Sequence, residues 1–145
     1  MSVSLLDVNV LIALFDPSHV HHERAHRWFA RSRKHGWATC PLTSNGCVRI
    51  LSNPAYPTIT VTTGEVIARL RSFCSSPHHE FWSDSISLLD ERLFRSQLFP
   101  GHQAVTDIYL LALAVRHHGR LATFDGAIPW RPVTDATIRH IALID

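Results

Sequence analysis

The amino-acid sequence predicts an α/β fold in which a parallel sheet carries helices on both faces. Short apolar segments alternate along the chain with longer segments of helical periodicity, as expected where helices connect parallel strands. Two of the apolar segments stop directly at an aspartate, Asp7 and Asp125. The chain has 145 residues, of which 46% are hydrophobic and 18% charged. This size and composition favour one globular domain spanning residues 1–145 over a disordered chain.

Five short strands are predicted from apolar runs that end at turn residues or charges. The first stops at Asp7, and the second lies between Gly36 and Pro41. The fourth begins after a helix-ending glycine, Gly119, and ends at Asp125. The third and fifth follow from runs of aromatic or aliphatic residues. The predicted strands cover residues 3–6, 37–40, 79–82, 121–124 and 141–144.

Six helices are predicted from amphipathic or apolar segments with capping and stop signals. The last begins at Thr106-Asp107 and ends in a basic turn before Gly119, as helix dipoles and C-terminal glycines favour. The other capping residues are Thr43 or Ser44, Thr62 or Thr63, and Asp90. The predicted helices cover residues 8–15, 18–34 (starting at Ser18 or His19), 45–51, 65–75, 91–97 and 106–118.

The composition limits the location and the general class of partner. The net charge is only +2, so no overall field requires a nucleic-acid partner. Three cysteines match no metal-ligand spacing, which indicates small apolar residues in a reducing cytoplasm. The N-terminal apolar run is interrupted by Asp7 and Asn9, unlike a signal peptide. No apolar run reaches the roughly 20 residues that span a membrane.

Three aspartates are expected to meet at one edge of the sheet. Asp7 and Asp125 each follow a strand, and Asp107 opens a helix. Open parallel sheets bind ligands outside the carboxyl ends of their strands. Carboxylates brought together raise each other's pKa and need a cation, and their oxygens suit Mg²⁺ or Mn²⁺. Such an ion activates water to cleave a phosphodiester. Each aspartate alone also fits a helix cap or a turn.

On these residues the chain resembles the PIN-domain ribonucleases and, among them, the VapC-type toxins of bacterial toxin–antitoxin pairs. The matching stretches are residues 5–13, 45–54 and 106–125, which occur in the order of that family. The resemblance implies a three-layer α/β/α sandwich with a central parallel sheet. It also implies a Mg²⁺- or Mn²⁺-dependent endoribonuclease, a homodimer and neutralisation by a small VapB-type antitoxin.

The resemblance also assigns roles to single residues. By position, the metal-binding and catalytic residues are Asp7, Asp107 and Asp125. Asn9 corresponds to the polar residue that orients the first aspartate. Thr106 is expected to cap its helix, and Thr123 to point toward the same edge of the sheet.

One position departs from the family pattern. The residue before Asn45-Gly46 is usually glutamate, and here it is Ser44, which brings no negative charge. With three carboxylates, one strongly held ion is expected, and a second only together with substrate phosphate. The same departure leaves open a catalytically weakened protein that still binds RNA or its antitoxin.

Candidate RNA contacts are basic or aromatic residues near the aspartates. Arg49 is the first candidate for phosphate, and the basic helix face of residues 24–34 the second. Trp130 and Arg131 follow Asp125 closely and could stack on a base. A metal nuclease that acts on DNA is an alternative, because the same carboxylate chemistry serves either sugar.

A competing metal motif occurs in residues 22–26, which read His-Glu-Arg-Ala-His and match the zincin signature. Phe29 and Ser32 stand where a metzincin continues with glycine and histidine. The segment also carries several arginines typical of a solvated helix face. The nuclease is therefore preferred over a zinc peptidase.

Overall fold

The computed structural model describes residues 2–145 and contains one five-stranded parallel sheet. The strands are β1 (Ser4–Leu6), β2 (Trp37–Thr39), β3 (His79–Phe81), β4 (Arg120–Thr123) and β5 (Ile141–Leu143). Their order in the sheet is β3-β2-β1-β4-β5, and every neighbouring pair is parallel. The central strand β1 pairs Leu5 with Ala38 on one side and with Leu121 on the other. The predicted parallel sheet is confirmed.

Helices cover both faces of this sheet, which confirms the three-layer α/β/α arrangement. The helices are α1 (Val8–Phe15), α2 (His22–Ser32), α3 (Pro41–Leu51), α4 (Thr63–Cys74) and α5 (Val105–Arg116). Alternate strand residues point to opposite faces. Leu6 and Ala122 therefore join an apolar core with α1 to α4, and Leu5 and Leu121 join a second core with α5. No helix within residues 2–145 is long and apolar enough to cross a membrane.

The helix predicted at residues 91–97 is wrong. The Asp90 carboxylate accepts the backbone N–H of Arg92 at 2.9 Å, which makes a turn rather than a helix cap. Phe94 is buried and forms an antiparallel bridge with Val133. Contact with a distant part of the chain therefore overrides a weak local helical pattern.

Two helix starts also differ from the prediction by three residues or more. Helix α3 begins at Pro41, four residues early, because proline suits the first helical position and the Thr43 hydroxyl accepts the N–H of Cys40 at 3.2 Å. Helix α2 begins three or four residues late. The preceding residues form a turn in which the His19 ring accepts the N–H of His21 at 3.0 Å.

The turn after α5 does not use Gly119 as the left-handed glycine that the sequence predicted. His118 adopts the left-handed backbone conformation, with φ of 56°. Gly119 instead allows a close approach between strands. A Cβ atom there would lie 2.5 Å from the carbonyl oxygen of Val3 and 2.9 Å from the Trp82 ring.

Replacement of Gly119 by alanine is therefore expected to lower the free energy of unfolding by about 1–3 kcal/mol, the usual cost of overpacking. Thermal or urea denaturation measures this effect. Gly101→Ala is the matched control, because a Cβ at Gly101 meets nothing within 4 Å. Equal stability of the two variants would contradict the close contact of Gly119 with Val3 and Trp82.

Candidate functional site

The three predicted aspartates come together at the carboxyl ends of the central strands, and we call them the acidic edge. Asp7 follows β1 directly and is the N-cap of α1. Asp125 lies two residues after the end of β4, and Asp107 lies in the first turn of α5. Asp7 is almost fully buried, with 5% of its surface exposed, whereas Asp125 is exposed.

The carboxylates of the acidic edge perturb one another. Burial, followed by the charges of Asp7 and Asp125, raises the pKa of Asp107 to about 6. Burial also raises the pKa of Asp7, and the charge of Asp125 adds to this. Hydrogen bonds from the Thr123 hydroxyl and the Val8 N–H lower the pKa of Asp7 but do not cancel the effect of burial. Three acids that repel one another in a partly desolvated place are stabilised by a bound cation.

A hydrogen-bond network centred on Thr123 ties the ends of β1 and β4 together. The buried Thr123 hydroxyl donates to Asp7 Oδ2 at 2.7 Å. It accepts from the Asp125 N–H at 3.0 Å and from Asn9 Nδ2 at 3.3 Å. Because both lone pairs are used, the single hydroxyl proton must point at Asp7. Asn9 Oδ1 also accepts from the N–H of Phe124 at 3.4 Å. Thr123 therefore points toward the acidic edge, whereas Asn9 bonds to Thr123 and Phe124 rather than to Asp7 itself.

The acidic edge supplies the kind of donor atom that a hard cation needs. Asp7 Oδ1 accepts the N–H of Val8 at 2.7 Å, and Asp125 Oδ1 accepts the N–H of Ala127 at 2.8 Å. A carboxylate oxygen with one such bond keeps a further lone pair. Among residues 2–145, no three acidic, histidine or cysteine side chains already stand in an arrangement that could hold a metal ion. The three carboxylates match a divalent ion in donor atoms and in charge, but they would have to draw closer together to share one.

Ser44 and Thr106 both lie inside helices, and neither of them is a helix cap. Ser44 lies in α3 and, in the part of the chain that the structure describes, its side chain makes no hydrogen bond to the acidic edge. With Arg49 it lines a mostly apolar groove of about 690 Å³ beside α4. Thr106 is an exposed residue inside α5, whose N-cap is Ala104 without a side-chain bond. The predicted capping role of Thr106 is wrong.

Trp130 and Arg131 lie beyond Asp125 on the β5 side of the sheet. They line an open cleft of about 370 Å³ together with Gly126. The Trp130 ring is half-buried against the core beneath α5, and the Arg131 guanidinium lies 4.8 Å from its centroid. Part of the ring is therefore already in contact with arginine, and a role in base stacking stays a prediction.

Helix packing accounts for the zincin-like motif. A ring nitrogen of His22 lies 2.7 Å from the carbonyl oxygen of Ala13, and one of His26 lies 2.9 Å from that of Leu14. Both histidines thus satisfy carbonyl groups in the last turn of α1, which otherwise lack partners. Glu23 faces Arg27 at 4.0 Å on the exposed side of α2. The motif has a structural role in joining α1 to α2.

Sequence reasoning missed one arrangement beside the acidic edge. The His21 ring stacks on Phe124, with centroids 4.7 Å apart and an angle of 22° between the planes. The Arg24 guanidinium lies 5.3 Å from the same ring centroid, and its Nη2 donates to His21 Nδ1 at 2.5 Å. The only signal in the sequence is that Phe124 precedes Asp125, and nothing local links it to residues of α2.

The chain is similar to known proteins along nearly its whole length. The PIN domain family model matches residues 4–129. Ribonuclease VapC44 of Mycobacterium tuberculosis is 44% identical over 141 residues, which cover 97% of this chain and 99% of that protein. Ribonuclease VapC39 of the same species is 46% identical over 86% of this chain and 90% of its own length.

A solved structure shares the fold. The crystal structure of Mycobacterium tuberculosis VapC20, a sarcin-ricin loop cleaving toxin, superposes with a TM-score of 0.64. The match covers 92% of this chain and 98% of VapC20 at 12% sequence identity, so the likeness concerns the fold alone.

Proposed function

Because the chain belongs to the PIN-domain family and within it to the VapC ribonucleases, we propose that it cleaves RNA at the acidic edge with a bound Mg²⁺ or Mn²⁺ ion. The observation that carries the proposal is that β1, β4 and α5 place Asp7, Asp125 and Asp107 at one edge of the sheet. Burial and the charges of the other two carboxylates accordingly raise the pKa of Asp107. The carboxylates of such a cluster repel one another, and a bound divalent ion compensates this repulsion. Ions of this kind support the hydrolysis of phosphodiesters.

Some residues at the acidic edge would bind the ion directly, and others orient these ligands. Asp7, Asp107 and Asp125 would supply its carboxylate ligands. When bound, a divalent ion polarises the phosphodiester and makes a water molecule more nucleophilic. Thr123 fixes the orientation of Asp7 through its hydroxyl proton, and Asn9 holds Thr123 from the other side. Such supporting hydrogen bonds set the geometry of a metal site as strongly as its direct ligands.

Incubation of the purified chain with single-stranded RNA and single-stranded DNA tests the proposal. We expect cleavage of RNA with Mg²⁺ or Mn²⁺ and none with EDTA. Cleavage that survives EDTA would contradict the metal-dependent mechanism. Preferential cleavage of DNA would favour the DNA nuclease, and RNA binding without cleavage would favour a weakened binding protein, the alternative that Ser44 raises.

We further propose that the free protein binds one ion strongly. The acidic edge has three carboxylates, and Ser44 contributes no fourth charge. A second ion would therefore depend on substrate phosphate for part of its coordination. Titration of Mn²⁺ into the free protein by calorimetry should give one high-affinity site. Two equal high-affinity sites would contradict this expectation.

Loss of the Thr123 hydroxyl is expected to weaken metal binding without removing a ligand. Thr123→Val keeps the shape of the side chain but leaves Asp7 Oδ2 without its donor, so the metal affinity or the cleavage rate should fall about 10- to 100-fold. Thr123→Ser keeps the hydroxyl and is the control. Both variants should be compared in RNA cleavage over a range of Mn²⁺ concentrations. Equal activity of the two variants would show that the hydroxyl does not orient Asp7.

The partners follow from the proposed role as the toxin of a toxin–antitoxin pair. We expect a VapB-type antitoxin to bind and inhibit the protein, and a homodimer in solution. Arg49, Trp130 and Arg131 stay candidates for contacts with RNA. Co-expression of the chain with the product of a neighbouring short gene, followed by size-exclusion chromatography with light scattering, tests both the partner and the dimer.

A further inference from the structure

We propose that Arg24 binds a phosphate of the RNA strand next to the cleaved bond, and that His21 and Phe124 are positioning residues that hold its guanidinium for this contact. The inference rests on the proposed ribonuclease function and adds a specific binding residue to it. We call the three side chains the Arg24 stack.

The Arg24 guanidinium is held in place from two directions. It lies over the Phe124 ring at 5.3 Å from the centroid, and its Nη2 donates to His21 Nδ1 at 2.5 Å. The His21 ring itself stacks on Phe124 at 4.7 Å. The guanidinium and the imidazole therefore lie side by side against one aromatic ring. Arginine fixed in this way loses less conformational entropy when it binds an anion.

Within residues 2–145 the charge of Arg24 has no acidic partner. The ion pairs among residues 2–145 join Arg27 to Glu23 and Arg92 to Asp90, and neither involves Arg24. The bond to His21 uses one of five guanidinium N–H donors, so several remain for a ligand. A planar fork of this kind matches the oxygens of a phosphate group.

The Arg24 stack is connected to the acidic edge through Phe124. Phe124 is the residue before Asp125, and its backbone N–H is bonded to Asn9, which in turn holds Thr123. The Phe124 side chain belongs to the core formed with α1 and α2. Arg24 therefore approaches the acidic edge from the α2 side of the sheet, opposite to α5 and Asp107. A strand whose scissile phosphate lies at the acidic edge would bring a neighbouring phosphate toward this guanidinium.

RNA binding by Arg24→Ala tests the proposal separately from cleavage. A short, fluorescently labelled single-stranded RNA is titrated with the full chain in an Asp107→Asn background, which should not cleave it. We expect Arg24→Ala to weaken binding about tenfold, the effect of one charged hydrogen bond. The slope of log affinity against log salt should also fall by about 0.7, the value for one phosphate contact on a single strand.

Arg92→Ala is the matched control, because it removes the same charge from a different place. Arg92 is exposed, pairs with Asp90, and lies beside Arg116 and His118 at the other end of α5 from Asp107. We expect RNA binding by this variant to equal that of the parent. If Arg24→Ala and Arg92→Ala weakened RNA binding equally, the effect would come from the lower net charge alone, and the proposal would be overturned. Unchanged binding by Arg24→Ala would also overturn it.

A double-mutant cycle tests Phe124 as a positioning residue. Phe124→Leu keeps an apolar side chain in the core but removes the ring beneath Arg24. It should weaken RNA binding when Arg24 is present and have no further effect in Arg24→Ala, because the two changes act on one contact. Additive effects would show that Phe124 acts on RNA binding through general stability instead.

The outcomes separate this inference from the proposed function. If the parent chain cleaves RNA with metal but Arg24→Ala binds RNA normally, the inference fails and the nuclease stands. If the parent chain never cleaves RNA but its RNA binding depends on Arg24, the nuclease fails and the binding residue stands.

Discussion

Asp7→Asn is expected to lower the rate of RNA cleavage at least about 100-fold, the largest effect on activity that the structure predicts. Asp7 is the most buried member of the acidic edge, and both of its oxygens already accept hydrogen bonds. An amide in its place carries no charge for a metal ion. Its NH₂ group would also face the Thr123 hydroxyl, whose lone pairs are taken by Asn9 and Asp125. The variant therefore loses the carboxylate charge at residue 7 and the hydrogen bond that orients this side chain.

Single-turnover cleavage of RNA at saturating Mn²⁺ measures this effect. Asp135→Asn is the matched control, since it makes the same chemical change at an exposed residue outside the acidic edge. Its backbone is left-handed, with φ of 68°, a conformation that asparagine adopts readily. Full activity of Asp135→Asn together with full activity of Asp7→Asn would remove Asp7 from the mechanism.

Asp107→Asn is expected to lower the rate of RNA cleavage about as much as Asp7→Asn does. In metal-free buffer it is also expected to make the folded protein more stable than the wild type. The pKa of Asp107 is raised to about 6 from 3.8, so the folded state holds its proton more strongly than the unfolded state. The wild-type protein therefore loses stability as the pH rises from about 4 to about 6, and the loss stays in full above that range. Asparagine has no such proton.

The difference in stability between Asp107→Asn and the wild-type protein isolates this effect, because the other titratable groups are the same in both proteins. It should increase by roughly 2 kcal/mol between about pH 4 and about pH 7, after allowance for solvent screening. Thermal denaturation in EDTA measures it. Added Mn²⁺ should stabilise the wild-type protein and not the variant. A difference that does not change with pH would contradict the raised pKa of Asp107.

The fold was largely predictable from the sequence because its strands are short apolar runs with sharp ends. Asp7 and Asp125 mark where two central strands stop, and helices separate the strands regularly. The errors occur where tertiary contacts outweigh local signals. Phe94 lies in a segment of helical periodicity but pairs with Val133 instead. Helix α3 begins at Pro41, whereas the capping residues predicted a later start.

The charged residues of the candidate site were predictable from the sequence, but most of the hydrogen bonds and packing contacts around them were not. The pattern of aspartates after strands and at a helix start located the acidic edge. Thr123 was expected at this edge, but the three hydrogen-bond partners of its hydroxyl were not, because they come from both ends of the chain. The Arg24 stack was not found, since only the packing of α2 on α1 brings residue 24 to Phe124.

The position of β1 in the middle of the sheet has a consequence for synthesis on the ribosome. Asp7 and the hydroxyl that orients it are 116 residues apart in the chain, and β1 pairs with β4 along its full length. Contacts at such long range form late, and a ribosome adds only about 5–20 residues per second. A nascent chain therefore lacks the hydroxyl that orients Asp7, and with it a complete acidic edge, until β4 has emerged.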